Sequence, residues 1–390
     1  MNGVAVPYWR LSGFYFFYFA LLGATAPFLA PYFAYLGFTP ARIGELVAIP
    51  MVMRCLAPHL WGWLGDRSGQ RLRIVRLGAA ATLASFSLIF VDKSYAWLAL
   101  VMALHAFFWH AVLPQFEVIT LAHLREQPAR YGQVRLWGSI GFIAAVVALG
   151  RWFELGGLGS YPYTVVVIMA GILLASAWVP APARGADETS QAPSGDGFLA
   201  RLRGPGVPVF YLCVGLMQLS HGPYYTFFSI HLGQLGYSPV AIGLCWSLGV
   251  VAEVLMFLAM ARLLARWSVN RLLTASFALA ALRWLLLGGF ADEPWVLVLA
   301  QVLHAATFGS FHAAAIQKIR LTFGLRYQGQ GQALYAALAG VGGALGALYS
   351  GYTWLALGPF GTFALASGAA LAAAVMMAVS NRRSRYDPGS

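Results

Sequence analysis

Twelve runs of mostly apolar residues dominate this sequence, each long enough to cross a bilayer as a helix. They cover 11–36, 43–64, 74–91, 96–122, 131–154, 161–180, 208–233, 239–262, 271–290, 294–318, 329–355 and 360–380. A spanning helix needs about 20 such residues, because hydrocarbon offers backbone polar groups no partner but each other. The runs are far longer than the roughly 10-residue alternating segments of a membrane barrel. Of 390 residues, 60% are hydrophobic and only 10% charged, against about a quarter charged in soluble domains. The expected fold is therefore an all-α membrane protein with twelve transmembrane helices, its surface facing a lipid bilayer. The run after Arg10 exceeds a signal-peptide core and reads as a retained first helix.

A net charge of +12 raises the question of nucleic acid, and placement answers it. Of the 25 Lys and Arg, 19 fall at alternate ends of the runs, 3 at the opposite ends and 3 within them. That asymmetry places both termini in the cytoplasm, in a multi-pass inner-membrane topology, and accounts for the charge with no nucleic-acid partner. Cys55, Cys213 and Cys245 all sit in apolar runs without metal-type spacing and read as packing residues. No metal or cofactor is expected; a proton gradient is the expected driving force.

The longest connection, 181–207, is rich in Pro, Gly, Ser and charge and reads as a cytoplasmic linker. It divides the chain into six-helix bundles at 1–180 and 208–390. The halves share an offset of 199: "GFTPARIG" (37–44) meets "GYSPVAIG" (236–243), "LHA" at 104–106 meets "LHA" at 303–305, and Gly132-Gln133 meets Gly331-Gln332. Two pseudo-symmetric six-helix bundles in parallel repeat are the duplication expected of major facilitator transporters. The same offset sets Arg54 against Glu253, a base in one half and an acid in the other.

The loop "GWLGDRSGQRL" (62–72) resembles the major facilitator signature, with Gly62, Asp66, Arg67, Gly69 and Arg71 on the pattern and Gln70 off it. A tight glycine turn would hold a carboxylate and arginines near helix ends, as a gating latch. The matching segment, "RLLARWSVNRLL", has Ala265 where Asp66 falls, so the latch is degenerate there. Further in, "YGQVRLWGSIGF" (131–142), "SLGVVAEVLMF" (247–257), "RWLLLGG…VLHAATF" (283–308) and "HGPYY" (221–225) resemble the subgroup holding lactose permease, nucleoside:proton symporters and, most closely, 3-phenylpropionate permeases. The resemblance covers nearly the whole chain. It implies alternating access around a midplane site.

Ionisable residues at membrane depth are costly and mark candidate sites. The acids are Glu117 and Glu253; the bases are Arg54, Arg135 and Arg283, with His105, His110, His221, His304 and His312. Glu117 and Arg135 fall at similar depth on consecutive antiparallel runs and can pair, as gate or as static scaffold. Lactose permease has an acid and an arginine at this separation, which implies substrate binding. Glu253 lies midway along its run. A lone buried carboxylate takes a proton or finds a base, which suits proton coupling. The resemblance places Arg283 beside it, with His304 near; a permanent Glu253–Arg283 bridge is the alternative. Lactose permease carries a second carboxylate three residues after the matching histidine, where this chain has Thr307. Its proton route therefore cannot be copied here. Arg54 has no acid nearby in sequence and suits an anion.

Tyr224, Tyr225, Trp246, Trp137 and Phe142 are candidate aromatic walls, Gln115, Gln218 and His221 candidate polar contacts, each against a packing role. "AGVGGALG" (339–346) lies within an apolar run, so it reads as helix packing rather than a nucleotide loop. Ser310 and His312 lack the third member a hydrolase needs, so no enzyme is expected. The expected function is proton symport of a small organic anion such as an aromatic carboxylate, by a monomer. A sugar or nucleoside symporter, an efflux transporter and a transporter-fold sensor are the alternatives.

Overall fold

The computed structural model describes residues 6–125, 127–182 and 197–386. Among the described residues the chain is helical throughout, with no strand. The helices are α1 (Tyr8–Tyr35), α2 (Pro40–Ser68), α3 (Arg71–Ser87), α4 (Tyr95–His123), α5 (Tyr131–Gly156), α6 (Tyr161–Trp178), α7 (Gly197–Leu202), α8 (Val207–Ser220), α9 (Gly222–Gln234), α10 (Pro239–Arg266), α11 (Val269–Gly289), α12 (Pro294–Val302) and α13 (Phe311–Tyr386). A π-helical segment, Ala305–Ser310, separates α12 from α13.

Among the described residues, nine helices are long and apolar enough to cross a membrane. Twelve runs become nine for two reasons. The run 208–233 is divided at His221 into α8 and α9, of 14 and 13 residues. The last three runs follow one another without a long loop, turned only at Gly324 and Gly358, whose φ values of 62° and 67° leave the helical region. Such positive φ suits glycine, which has no Cβ to clash. Most of the linker expected at 181–207, with Arg184, lies outside the described residues. Its end, α7, is described: Arg201 donates to the Phe323 carbonyl at 2.5 Å, satisfying a helix-end acceptor before the Gly324 turn.

The chain forms two compact units, the first built mainly from α1–α6 and the second mainly from α8–α13. In each, the offset of 199 reappears as atomic detail. Gly37 (φ 84°) and Gly236 (φ 87°) turn the chain in the same left-handed conformation. Two residues on, Thr39 and Ser238 cap α2 and α10, accepting from the amides of Arg42 and Ala241 at 3.5 and 3.2 Å. Gly23 of α1 and Gly222 of α9 also share the offset, and both sit where backbones nearly touch. A Cβ on Gly23 would lie 2.7 Å from the Phe142 carbonyl of α5; one on Gly222 would lie 2.2 Å from the Gly346 carbonyl carbon of α13. Without a hydrophobic drive between helices in lipid, such close approach is a main source of attraction.

The Gly222 contact is backbone on backbone, so no rotamer change relieves it. Gly222→Ala is expected to destabilise the purified protein by about 1–3 kcal/mol or more, the cost of overpacking. Gly215→Ala, with nothing within 4 Å of the added methyl, should leave it unchanged or slightly more stable. Thermal unfolding in one detergent compares them.

Candidate substrate and proton site

The second unit gathers the most connected polar group. Arg283, on α11, is fully buried. Its Nε donates to the Ala300 carbonyl at 2.7 Å, and Nη1 reaches His304 Nδ1 and Thr307 Oγ1, both at 3.1 Å. Nη2 reaches Gln301 Oε1 at 3.5 Å. The guanidinium lies 4.3 Å from the Tyr224 ring and 4.8 Å from that of Trp284, a cation–π arrangement that partly replaces lost hydration. Tyr224 in turn donates to Gln301 Oε1 at 3.0 Å.

Glu253, on α10, meets this group through His304: Oε2 stands 3.6 Å from Nε2, close for an ion pair and long for a hydrogen bond. The structure thus brings Glu253 and Arg283 to opposite nitrogens of one histidine rather than to each other. The direction of the bonds fixes the tautomer. An arginine only donates, so Nδ1 must accept and the imidazole proton sits on Nε2, towards Glu253. The Glu253 side chain keeps 21% of its surface exposed, against 7% for His304. The carboxylate is therefore the outermost member of the chain.

Sequence reading gave no sign of the π segment that follows His304. Its wider turn carries Thr307 to the Arg283 guanidinium. Single π turns of this kind recur at functional sites. Gln301 and Thr307, both fully buried, are the partners that reading missed as binding residues. An amide inside an apolar run was the available signal.

Around the group lie three of the predicted aromatics, Tyr224, Tyr225 and Trp246. Trp246 donates to Ser229 Oγ at 3.0 Å and packs 4.7 Å from Tyr224, ring centre to ring centre. Tyr225 stacks on His221 at 5.9 Å. His221 sits at the break between α8 and α9, and its Nδ1 bonds the Met217 carbonyl at 2.8 Å. Gln218 lies one turn earlier on α8, half-buried, where a Cβ on Gly342 would meet its own Cβ at 3.0 Å.

The first unit is built differently. Glu117 and Arg135 lie near enough to act on each other electrostatically, with Tyr131 beside the carboxylate. The Arg135 guanidinium rests over the Phe19 ring at 3.8 Å rather than forming a close ion pair. Arg54 is exposed, close enough to Tyr18 and His110 to act on both electrostatically. Trp137 donates to the Tyr8 hydroxyl at 3.0 Å, and Phe142 is buried.

The loop after α2 is a latch with an unforeseen member. Asp66 pairs with Arg71. Arg71 also donates to Gln115 Oε1 at 2.7 Å, and Gln115 Nε2 donates to the Trp61 carbonyl at 3.1 Å. Gln115 is thus taken up by the latch. Gly69 supplies the turn, with φ 62°. The close approach falls at Gly65, where a Cβ would lie 2.5 Å from Gln115 Oε1, while one on Gly62 meets nothing within 4 Å. Arg67 lies 5.4 Å from the Trp63 ring.

The comparisons with known proteins agree with this architecture. The profile of the MFS_1 like family matches residues 8–365. The chain belongs to this family. It is a multi-pass secondary transporter for a small-molecule substrate, and not an enzyme. It is 30% identical over 358 residues to the probable 3-phenylpropionic acid transporter of Escherichia coli (strain K12), covering 90% of this chain and 92% of that one. It is 28% identical to the maltose permease of Geobacillus stearothermophilus, over 86% of this chain and 84% of that one. The crystal structure of the nucleoside transporter NupG matches at a TM-score of 0.84 and 18% identity, over 97% of this chain and 99% of that one, which shows the shared fold.

Gln115→Leu in this transporter removes an acceptor from Arg71 and a donor from the Trp61 carbonyl. It is expected to lower stability by roughly 1–3 kcal/mol, as when buried partners are left unsatisfied. A raised KM with unchanged thermal stability would instead place Gln115 against substrate.

Proposed function

We propose that this transporter carries a small aromatic carboxylate, of the 3-phenylpropionate kind, together with a proton, by alternating access. The Glu253–His304–Arg283 chain carries this reading. It offers one partly exposed carboxylate able to take and release a proton, tied through a histidine to a buried cation. The 30%-identical relative named for 3-phenylpropionic acid supports the cargo class. In this reading Glu253 takes the proton, while Arg283 and His304 orient it. Arg54 and Arg135 attract the anion from the first unit, with Glu117 balancing Arg135. Tyr224, Tyr225 and Trp246 face the flat part of the cargo, and His221 and Gln218 add polar contacts. Gly62, Asp66, Arg67, Gly69 and Arg71 serve the gating loop. The protein works as a monomer in a cytoplasmic membrane with both termini inside, as its charge asymmetry supports.

A second reading, a neutral sugar cargo, is favoured by the maltose permease relative. Proton movement in lightly buffered cells separates the two. Cells overexpressing the chain should alkalinise the medium when 3-phenylpropionate is added, beyond an empty-vector control, since weak acids also leak across as neutral molecules. Maltose should produce nothing, and Glu253→Gln should fall to the control level. Alkalinisation with maltose and not with the acid would reverse the assignment.

A further inference from the structure

Arg283 has no negative partner among its hydrogen bonds. It is fully buried, and it donates to a carbonyl, an imidazole, a hydroxyl and an amide. A guanidinium stays charged at every accessible pH, so the pocket holds one fixed positive charge. The groups facing it can be counted by helix. α10 brings Glu253, α8 and α9 bring His221 and Tyr224, and the stretch from α12 into the π segment brings Gln301, His304 and Thr307. α9 also brings Tyr225, near enough to act on Arg283 electrostatically. His304 adds no charge while its Nδ1 accepts from Arg283. The balance therefore turns on Glu253 alone. With Glu253 ionised the group is neutral; with Glu253 protonated it carries an uncompensated +1 in a poorly solvated place, an unfavourable state.

We propose that Thr307 sets the charge class of the cargo. By presenting a neutral hydroxyl to Arg283, it leaves the protonated site one positive charge out of balance, and a cargo carried with that proton must be a monoanion. This rests on the reading of Glu253 as the proton carrier. On loading, one proton passes from solution to a Glu253 oxygen and one carboxylate enters; no bond within the cargo changes, and the loaded site is neutral again. A carboxylate at position 307 would balance Arg283 permanently. The protonated site would then favour a neutral molecule and repel an anion, a repulsive element of the kind that often sets specificity. One buried donor lacks a partner near this group, Gln301 Nε2. Buried polar atoms in folded proteins are nearly always bonded, so this amide suits an acceptor-rich ligand such as a carboxylate.

The test compares the wild type with Thr307→Asp and Thr307→Asn, two side chains of similar size and different charge. Binding of 3-phenylpropionate and of its neutral amide would be measured on each purified protein near pH 6.5. The ratio of acid to amide affinity should fall more than about tenfold in Thr307→Asp, the scale of a lost charge-assisted hydrogen bond. It should stay within about threefold in Thr307→Asn, a shift below one ordinary hydrogen bond. Equal falls in both variants, or no fall in either, would overturn the proposal. Should Thr307→Asp fail to fold, the wild type in proteoliposomes still decides. A monoanion with one proton moves no net charge, so uptake driven by a pH gradient should be unchanged when valinomycin and potassium impose a membrane potential. Uptake that follows the potential would overturn the proposal. No uptake or binding of any carboxylate by the wild type would instead sink the proposed function, and this inference with it.

Discussion

A guanidinium sealed from water is expensive unless every donor is used. Arg283 uses its Nε, Nη1 and Nη2, and lies against two aromatic rings. The rest of the second unit's interior follows from holding it there. The π turn delivers Thr307, Tyr224 shares Gln301 with it, and His304 is held in one tautomer by it. That tautomer aims a proton at Glu253. A change at any of these positions therefore reaches the carboxylate through His304, without touching it.

Gene-duplication symmetry supplies the scaffold and is then broken at the site. The turns at Gly37 and Gly236 and the close helix crossings at Gly23 and Gly222 are the same device used twice. Polar residues at equivalent positions have diverged. His105, the counterpart of His304, packs between Phe86 and Trp109 with no carboxylate at hand. Arg54 stands where the other half has Glu253. The first unit holds positive charge against aromatic rings, and the second holds a carboxylate tied through His304 to a buried cation.

Much of this was legible in the sequence because the membrane imposes a strong rule. Unsatisfied backbone polar groups are intolerable in lipid, so each long apolar run had to be helical. The constant offset exposed the repeat, and the cost of buried charge pointed to Glu253, Arg283 and His304. What stayed hidden depends on side-chain direction. The resemblance placed Glu253 and Arg283 together, and only geometry showed His304 between them. Gln115 looked like a cavity residue because it is polar and central, yet its amide joins Arg71 to the Trp61 carbonyl. The π turn has no signature in composition, since it adds a residue to a turn without altering the apolar pattern. Helix ends at Gly324 and Gly358 were expected as loops, whereas single left-handed glycines suffice.

The central claim is thermodynamic coupling of one proton to one monoanion, and an equilibrium measurement tests it most directly. Proteoliposomes holding the purified chain would be given a fixed pH difference at zero membrane potential, and labelled 3-phenylpropionate followed to its steady distribution. Protein-free vesicles provide the correction for passive accumulation of a weak acid, and in both the rate of approach is recorded. Coupled transport predicts that protein speeds the approach to the accumulation ratio set by the pH difference, one decade per pH unit. Removing the label outside should then drive protons outward with it at the protein-dependent rate. A protein-dependent flux that equalises the anion on both sides, with no proton movement, would contradict the account.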